Sequence, residues 1–467
     1  MDYPPPTEEG LPAVRELQTD TYKLYRGKIA GPTAGEYSSY EVYLPLDYAT
    51  WEKAGRRIAI YTHGYTDPID FPVGGYADGT KYLSAGRQPY PNEVNKALQS
   101  LQQLLVINGY AVAWSSYSSP GYAVQSGVDS TGKLVDIADN HAKSFYAQAA
   151  AGFLSKTRVV LGHSLGGIIA AAIAETQPAS RVSGVLAMCG PVNGMPDQVQ
   201  FAGDLRALYD YYFQSNYRSA AFHVPVRPGG EGQPATNPAA DQKLRELGWA
   251  ILGKGDASRK DAFFEFGNYR YYGLAKAIAE ALVNGGDLSR ARALADTDQV
   301  SLPYSNDGEL VHSIVDALFY PVRGASNALA TAGGSPFNNA STTYTRSGVA
   351  DAELNSPSGG VLRYAPAPAA AAYVAANYDT TGEINSYVLT LHTTGDPQVL
   401  FRHEARYAAK VSARGRGDRL AQQHVNRYGH CSMNFAETAN ALSALVTWIE
   451  SGGVKRPATG DVTVNLP

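Results

Sequence analysis

A serine between two glycines is the most chemically suggestive feature of this sequence. Residues 162–166 read Gly-His-Ser-Leu-Gly, and they stand directly between an apolar run and an alanine-rich run that favours helix. A G-x-S-x-G in this setting predicts a strand-to-helix turn so tight that only Gly162 and Gly166 avoid a clash. Such a turn lifts the Ser164 oxygen clear of the sheet and sets it at a helix N-terminus, where backbone amides favour negative charge. We therefore expect Ser164 to be a nucleophile; a glycine-rich turn without chemistry is the alternative.

A nucleophilic serine needs a base and an acid, and two later residues have the right places in the chain. His430 follows a glycine on the segment "QQHVNRYGHCSM" (422–433), after the last predicted strand and before the final helix. Asp396 ends the strand in "VLTLHTTGDPQ", within a Gly-Asp-Pro turn. The order serine, acid, histidine is the one found when such a serine sits on a strand-to-helix turn. We predict a triad of Ser164, Asp396 and His430; an ordinary turn aspartate and a structural loop histidine are the alternatives.

The other eight of the nine histidines suit the role of base less well. His163 is too close to Ser164 in sequence to turn back on it. His392 and His424 lie inside predicted strands, and His403 lies inside a predicted helix. The rest lie at a strand end or on helical or cap segments, namely His63, His141, His223 and His312. His430 is therefore the predicted base.

The developing oxyanion requires two backbone N–H donors. The Leu165 amide, directly after the nucleophile, is the first expected donor. The second is expected from the loop after the strand that ends "YTHGY", where His63 and Gly64 allow a sharp turn and the Tyr65 amide follows. A plain strand-end glycine is the alternative interpretation of this segment.

Strands alternate with helices around these motifs. Predicted strands cover 35–48, 56–64, 111–118, 158–162, 181–190, 385–396 and 420–430, and predicted helices cover 91–110, 134–154, 165–178, 398–415 and 434–452. Alternation of this kind predicts βαβ units, and hence an α/β fold with a doubly wound, mostly parallel sheet. The first 20 residues, rich in proline and glutamate, are expected to be loosely held.

A long segment interrupts this alternation. Residues 195–384 carry mostly helical patterns, separated by loops rich in Gly, Pro, Asn and Ser. We predict three parts: the first part of the α/β core over 1–194, an inserted helical cap over 195–384, and the second part of the core over 385–467. The cap is rich in aromatic residues, which are expected mainly to pack among themselves. Some of them would otherwise line a pocket for a bulky or aromatic ester.

Taken together, "YTHGY", "GHSLGG", "LHTTGDP" and "GHCSM" resemble the α/β-hydrolase superfamily, in particular its bacterial serine esterases and lipases. The segment "SSYSSPGYAVQSGVDS" also looks like one that these hydrolases carry. The resemblance covers 35–195 and 385–455, and the cap resembles nothing we can name. It implies hydrolysis of a carboxylic ester through an acyl-enzyme, with Ser164, Asp396 and His430 as the triad. An amidase or peptidase with the same triad, and a non-catalytic binding module of this fold, are the alternative functions.

The two cysteines, Cys189 and Cys431, raise the question of a metal or a disulfide. The His430–Cys431 adjacency lacks the spacing of a zinc site, so no metal is expected. In tannase-like and feruloyl-esterase-like relatives, the cysteine after the catalytic histidine pairs with one directly before the nucleophile. His163 holds that earlier position here, which breaks the pattern. A Cys189–Cys431 bridge is geometrically allowed, but two reduced, buried thiols are the expected state.

Composition excludes some partners. The net charge of −4 gives no electrostatic footprint for nucleic acid or an anionic membrane. No apolar run reaches the 18 residues that a transmembrane helix needs. No cofactor is expected, and the expected partner is a small-molecule ester; the sequence does not indicate an oligomeric state. The N-terminus shows no signal peptide, and the sequence leaves the compartment open; a secreted or periplasmic protein from which a signal has been removed is the favoured alternative.

Overall fold

The computed structural model describes most of the predicted core and part of the predicted cap. The described residues are 22–31, 37–65, 105–119, 121–146, 155–213, 288–318, 332 and 334–464, together with the backbone of 15–18. Most of the predicted helix over 91–110 and the cap residues 214–287 lie outside the described residues. None of the described helices is long and apolar enough to cross a membrane.

The described strands are β1 (Arg15–Gln18), β2 (Tyr22–Ala30), β3 (Tyr37–Pro45), β4 (Arg57–Thr62), β5 (Ala111–Ser115), β6 (Thr157–His163), β7 (Gly184–Met188), β8 (Thr345–Arg346), β9 (Val349–Ala350), β10 (Tyr387–Gly395), β11 (Leu420–Tyr428) and β12 (Gly460–Asp461). The described helices are α1 (Tyr48–Lys53), α2 (Val124–Tyr146), α3 (Leu165–Thr176), α4 (Met195–Phe213), α5 (Ser289–Ala295), α6 (Asp307–Ala317), α7 (Pro368–Tyr378), α8 (Arg402–Ala413) and α9 (Phe435–Glu450). A short 3₁₀ turn, Gly417–Arg419, precedes β11.

One sheet organises the described core. Its strand order is β1-β2-β3-β5-β4-β6-β7-β10-β11-β12. The pairs from β5 and β4 through to β11 and β12 are parallel, whereas β1, β2, β3 and β5 pair antiparallel. The predicted fold class, an α/β fold with a doubly wound and mostly parallel sheet, is therefore confirmed.

Helices cover both faces of this sheet, as parallel strands with apolar side chains on both sides require. On one face α2, α3 and α8 bury residues such as Leu134, Ala170 and Tyr407 against the strands. On the other face α9 buries Leu445 and Trp448 against β6, β7 and β10. The strands β4 and β7 flank β6, so Ser164 leaves the sheet at its centre.

The helix α2 begins at Val124, ten residues before the predicted start at 134. Its first turns contain Ser, Gly and Thr, which have low helix propensity. These small residues are buried, and a Cβ on Gly127 would lie 2.4 Å from Ile169 Cδ1. Close packing against α3 therefore overrides local propensity.

The N-terminal segment also departs from expectation. Residues 15–18, predicted to be loosely held, form β1 and pair antiparallel with β2. Gly27 lies within β2, and a Cβ added at this position would lie 2.6 Å from the Tyr40 ring. The order of this edge thus comes from pairing and ring packing, which a pattern of polarity does not reveal.

The described part of the inserted segment has its own apolar cluster. Helices α4, α5, α6 and α7 contribute buried residues to it, and Leu165, Ile168 and Ile169 of α3 join them. Between α6 and α7, residues 334–366 are irregular apart from the two-residue strands β8 and β9. The described part of this segment thus contains helices and a long irregular stretch, and its apolar cluster extends onto the helix that follows Ser164.

Candidate active site

Ser164 occupies a strained turn between β6 and α3. Its backbone has φ 55° and ψ −124°, in the left-handed half of the conformational map that non-glycine residues avoid. The Ser164 amide donates to the Met188 carbonyl of β7 at 2.9 Å, which fixes the turn to the neighbouring strand. The observed conformation matches the sharp turn predicted from G-x-S-x-G.

The flanking glycines are required by close approach of β4. A Cβ on Gly166 would lie 2.0 Å from the Thr62 carbonyl oxygen, and one on Gly162 would lie 2.0 Å from Thr62 Oγ1. The Thr62 hydroxyl in turn donates to the Gly166 carbonyl at 2.8 Å. Thr62 at the end of β4 therefore packs closely against the Ser164 turn, and residues larger than glycine at 162 or 166 would displace this turn.

Ser164, His430 and Asp396 come together at the carboxyl edge of the sheet. His430 Nε2 lies 2.8 Å from Ser164 Oγ, and His430 Nδ1 lies 2.7 Å from Asp396 Oδ2. Asp396 is buried, whereas Ser164 and His430 are partly exposed. An ionised Asp396 can only accept, so Nδ1 carries the proton and Nε2 is free to accept the hydroxyl proton of Ser164.

Asp396 is held as a carboxylate by its surroundings. The amides of Gln398 and Val399 both donate to its Oδ1 at 2.9 Å. Burial alone would raise the pKa of Asp396, but the charge of His430 and hydrogen bonds with His392 and His430 outweigh it and lower that pKa to about 2. The acid is therefore ionised throughout the range in which a histidine base works.

Backbone near Ser164 offers positions for the two predicted oxyanion donors. Leu165 is the first residue of α3, so its amide has no partner within the helix. A Cβ on Gly64 would lie 3.5 Å from Ser164 Cβ, so the loop after β4 passes directly beside the nucleophile. The Tyr65 amide follows on this loop.

His63 stabilises the loop that carries Gly64 and Tyr65. Its Nδ1 lies 2.8 Å from the Gly64 carbonyl, and its ring stacks on Tyr117 with centroids 3.9 Å apart. The Tyr117 hydroxyl donates to the His63 carbonyl at 3.0 Å. Burial lowers the pKa of His63 to about 4, so the ring is neutral and donates from Nδ1. Tyr117 was not singled out from the sequence, because only the folded loop reveals its contact.

His163, beside the nucleophile, is also a neutral ring. Burial, with a smaller effect from the charge of His430, lowers the pKa of His163 to about 3. Its ring lies 6.0 Å from that of Tyr61 on β4. The prediction that His163 is not the base agrees with this buried position.

The expectation of two reduced thiols is wrong. Cys189 and Cys431 form a disulfide with their Cα atoms 5.3 Å apart. Cys189 follows β7, and its amide donates to the Leu391 carbonyl of β10 at 2.9 Å. Parallel pairing thereby brings Cys189 to the edge where the His430 loop lies. Because 242 positions separate the two cysteines, no sequence pattern indicates how close they lie in the fold.

The same two cysteines and His430 form a cluster of metal-type donors, all within 4.8 Å of one another. The two sulfurs are bonded to each other, so neither offers a thiolate. The remaining donor, His430 Nε2, faces Ser164 Oγ. With the disulfide formed, these three residues do not suit a metal ion, because the one remaining ligand atom is hydrogen-bonded towards Ser164.

Comparisons with known proteins give remote likenesses. No protein-family model and no curated protein matches the chain. Among solved structures, feruloyl esterase B from Aspergillus oryzae is 12% identical, with 96% of this chain and 88% of that chain covered and a TM-score of 0.47. Candida Antarctica lipase A is 12% identical, with coverages of 98% and 86% and a TM-score of 0.45. The rice cell wall degrading esterase LipA from Xanthomonas oryzae is 13% identical, with coverages of 96% and 98% and a TM-score of 0.37. With TM-scores below 0.5, the chemistry of this chain must be inferred from its own side chains.

Proposed function

We propose that this protein is a serine hydrolase that cleaves carboxylic esters through an acyl-enzyme. One observation carries the proposal: His430 lies within hydrogen-bond distance of both Ser164 Oγ, at 2.8 Å, and Asp396, at 2.7 Å. The strained backbone of Ser164 adds support, because such strain is found where it serves function. A non-catalytic binding module of the same fold would need neither a strained serine nor a histidine placed to accept the proton of the serine hydroxyl.

Acylation begins when Ser164 Oγ attacks the ester carbonyl and its proton passes to His430 Nε2. Asp396 keeps Nδ1 protonated and stabilises the imidazolium that forms. The Leu165 and Tyr65 amides stabilise the oxyanion of the tetrahedral intermediate. When the intermediate collapses, the bond to the leaving alkoxide breaks and His430 Nε2 returns the proton to it.

Deacylation repeats these steps with water. His430 Nε2 takes a proton from a water molecule, whose oxygen attacks the acyl carbonyl on Ser164. Collapse of the second intermediate breaks the bond to Ser164 Oγ, and His430 returns the proton to the serine. The products are a carboxylic acid, an alcohol and the starting enzyme, and no cofactor is needed for the balance.

A fluorophosphonate probe tests the nucleophile directly. We expect covalent labelling of the wild type, and loss of both labelling and p-nitrophenyl ester hydrolysis in Ser164→Ala. The fall in kcat/KM should be about 10³-fold or more, since the nucleophile acts as part of a unit. Labelling that persists in Ser164→Ala would exclude this serine. Equal activity on matched anilides and esters would instead favour an amidase.

The ester is proposed to be bulky, aromatic or otherwise hydrophobic. Beside the nucleophile, Tyr65 contacts Tyr122 with ring centroids 6.0 Å apart, and both pack against the apolar cluster that includes Leu165. Of the predicted cap aromatics, Tyr209 is buried in that cluster and Tyr211, Tyr212 and Phe213 are partly buried against it. Further aromatic residues of the predicted cap lie outside the described residues, namely Tyr217, Phe263, Phe264, Phe266, Tyr269, Tyr271, Tyr272, Phe319 and Tyr320.

Substrate size is tested with p-nitrophenyl esters of increasing acyl length, together with aryl esters. We expect kcat/KM to rise from acetate to longer or aromatic acyl groups, because each added buried methylene contributes about 0.8 kcal/mol. A clear preference for acetate would contradict the large-pocket proposal without affecting the triad. Activity of Ser164→Ala on the best ester gives the background rate.

A further inference from the structure

A second histidine lies behind the proposed acid. His392 is on β10, four residues before Asp396, and its side chain is completely buried. His392 Nε2 lies 2.8 Å from the Val399 carbonyl oxygen and 3.5 Å from Asp396 Oδ2. His392 Nδ1 lies 3.2 Å from Glu404 Oε1 of α8. The contact of Nε2 with Asp396 is thus longer than its contact with the Val399 carbonyl.

The contacts of His392 indicate its protonation state. The Val399 carbonyl can only accept, so Nε2 must carry a hydrogen. Glu404 presents Oε1 to Nδ1, and an ionised carboxylate also only accepts. Both ring nitrogens then donate, which is the imidazolium form.

Hydrogen-bond donors surround the carboxyl group of Glu404. Its Oε2 accepts from the Thr390 hydroxyl and from Gln422 Nε2, the latter at 2.7 Å. With donors on Oε2 and the ring of His392 on Oε1, the carboxylate has partners on both oxygens. A carboxyl group whose two oxygens both face donors suits the role of a counter-ion to the His392 ring.

We propose that His392 is a buried imidazolium that holds Asp396 ionised and in position, with Glu404 as its counter-ion. Charges of opposite sign then alternate from Glu404 through His392 and Asp396 towards His430. In this arrangement His392 is a positioning residue, since it acts on the reaction only through Asp396. The catalytic consequence rests on the proposed function, whereas the charge on His392 does not.

The electrostatic surroundings agree with this geometry. Burial opposes a charge on His392, but hydrogen bonds and charges from Asp396 and Glu404 outweigh it and raise the pKa of His392 to about 10. Among the described residues, further titratable groups on the neighbouring elements include His403 on α8 and His424, the register partner of His392 on β11. Burial lowers the pKa of His403 to about 3, outweighing the opposing charge of Asp197, and the charges of Arg402 and His392 add smaller lowering effects, so this neighbour is neutral.

The charge is tested by nuclear magnetic resonance of isotope-labelled histidine rings at about pH 8.5, above the ordinary histidine pKa. We expect one ring with both nitrogens protonated, and we expect its signal to be missing from His392→Gln. In Glu404→Gln the same ring should lose one of its two hydrogens. A wild type without such a ring, or a signal that persists in His392→Gln, would overturn the proposal even if the enzyme is active.

The consequence for Asp396 is tested by the pH profile of ester hydrolysis. In His392→Gln we expect kcat/KM to fall about ten- to hundredfold, mostly in kcat. The acid limb of the kcat/KM profile should move up by about one pH unit. Removal of a nearby cation lets the Asp396–His430 pair bind a proton more tightly. Glu404→Gln should move the limb in the same direction.

His403→Gln is the matched control, since it makes the same exchange at another buried histidine of this region. It should cost stability without moving the acid limb. If His392→Gln also leaves the limb in place, His392 has only a structural role and the proposal fails. If no variant or wild type hydrolyses any ester, the proposed function fails, and the ring signal still decides the charge on His392.

Discussion

Three histidines belong to the segments around Ser164, and their surroundings give them different behaviour. Burial lowers the pKa of His63 to about 4 and that of His163 to about 3, so both rings stay neutral at physiological pH. His430 differs from both in combining partial exposure with a carboxylate on Nδ1 and the serine hydroxyl on Nε2. The environment, rather than the residue type, therefore singles out the proposed base.

At the residue scale, Asp396→Asn tests the role of the acid. The Asn amide would donate to His430 Nδ1, which forces the proton onto Nε2 and leaves no acceptor for Ser164. We expect kcat/KM for an activated ester to fall about 10⁴-fold while the backbone contacts of the turn remain. Circular dichroism should show an unchanged fold. Retention of a tenth of wild-type activity would contradict the proposed triad.

The same variant tests the pH dependence of stability. The folded-state pKa of Asp396, about 2, is below its unfolded value near 3.9. Its stabilising contribution, about 2–3 kcal/mol, is therefore fully present above pH 3.9 and is lost as the pH falls through 2. Urea unfolding between pH 2 and about 5 should show a shallower loss of stability in Asp396→Asn than in the wild type. Parallel curves would contradict the depressed pKa.

At the scale of elements, the sequence predicted what depends on local pattern. The apolar runs of β4 and β6 predicted two strands, and the glycines of G-x-S-x-G predicted the tight turn after β6. In the folded chain a Cβ at either glycine would meet Thr62. The contacts of His392 with Glu404 and of Cys189 with Cys431 depend on which strands lie side by side. Periodicity says nothing about strand order, so these features could be found only in the folded chain.

The loop that carries His430 is fixed from several sides. Its Gly429 amide donates to the Gly395 carbonyl at 2.9 Å, and the Thr393 hydroxyl donates to the Gly429 carbonyl at 2.7 Å. The disulfide to Cys189 adds a covalent link one residue after His430. These contacts join the loop to β10 and β7, so the histidine is held by the same sheet edge that presents Ser164 and Asp396.

Replacement of both half-cystines, Cys189→Ser with Cys431→Ser, tests the covalent link. We expect a loss of about 2–5 kcal/mol in unfolding free energy, because the bond closes a long loop. The kcat should fall more than KM changes, since His430 loses an adjacent anchor. Urea unfolding and ester kinetics measure the two effects, and wild type treated with a thiol reductant should match the double variant. Unchanged stability in both would contradict a disulfide in the native protein.

At the scale of the whole molecule, the inserted segment contacts the loops that carry the acid and the base. Gln398 Nε2, two residues after Asp396, donates to Asp316 of α6 at 2.7 Å. The Tyr428 hydroxyl, two residues before His430, lies 2.9 Å from Ser313 Oγ and donates to the Glu309 carbonyl at 3.1 Å. Helix α6 of the predicted cap thus contacts side chains at the ends of β10 and β11, and we infer that these contacts couple it to the proposed site.

Tyr428→Phe tests this coupling, because it removes one hydroxyl and leaves the ring. Ser313 and the Glu309 carbonyl would each lose a partner, so we expect a cost of about 1–3 kcal/mol in unfolding free energy. A several-fold fall in kcat/KM for large esters should accompany it, as α6 loosens against the His430 loop. Tyr48→Phe is the matched control, since its hydroxyl bonds Glu52 at an exposed position on α1, at 3.1 Å. Equal effects of the two variants on stability and activity would show that the Tyr428 contacts do not couple the inserted segment to the site.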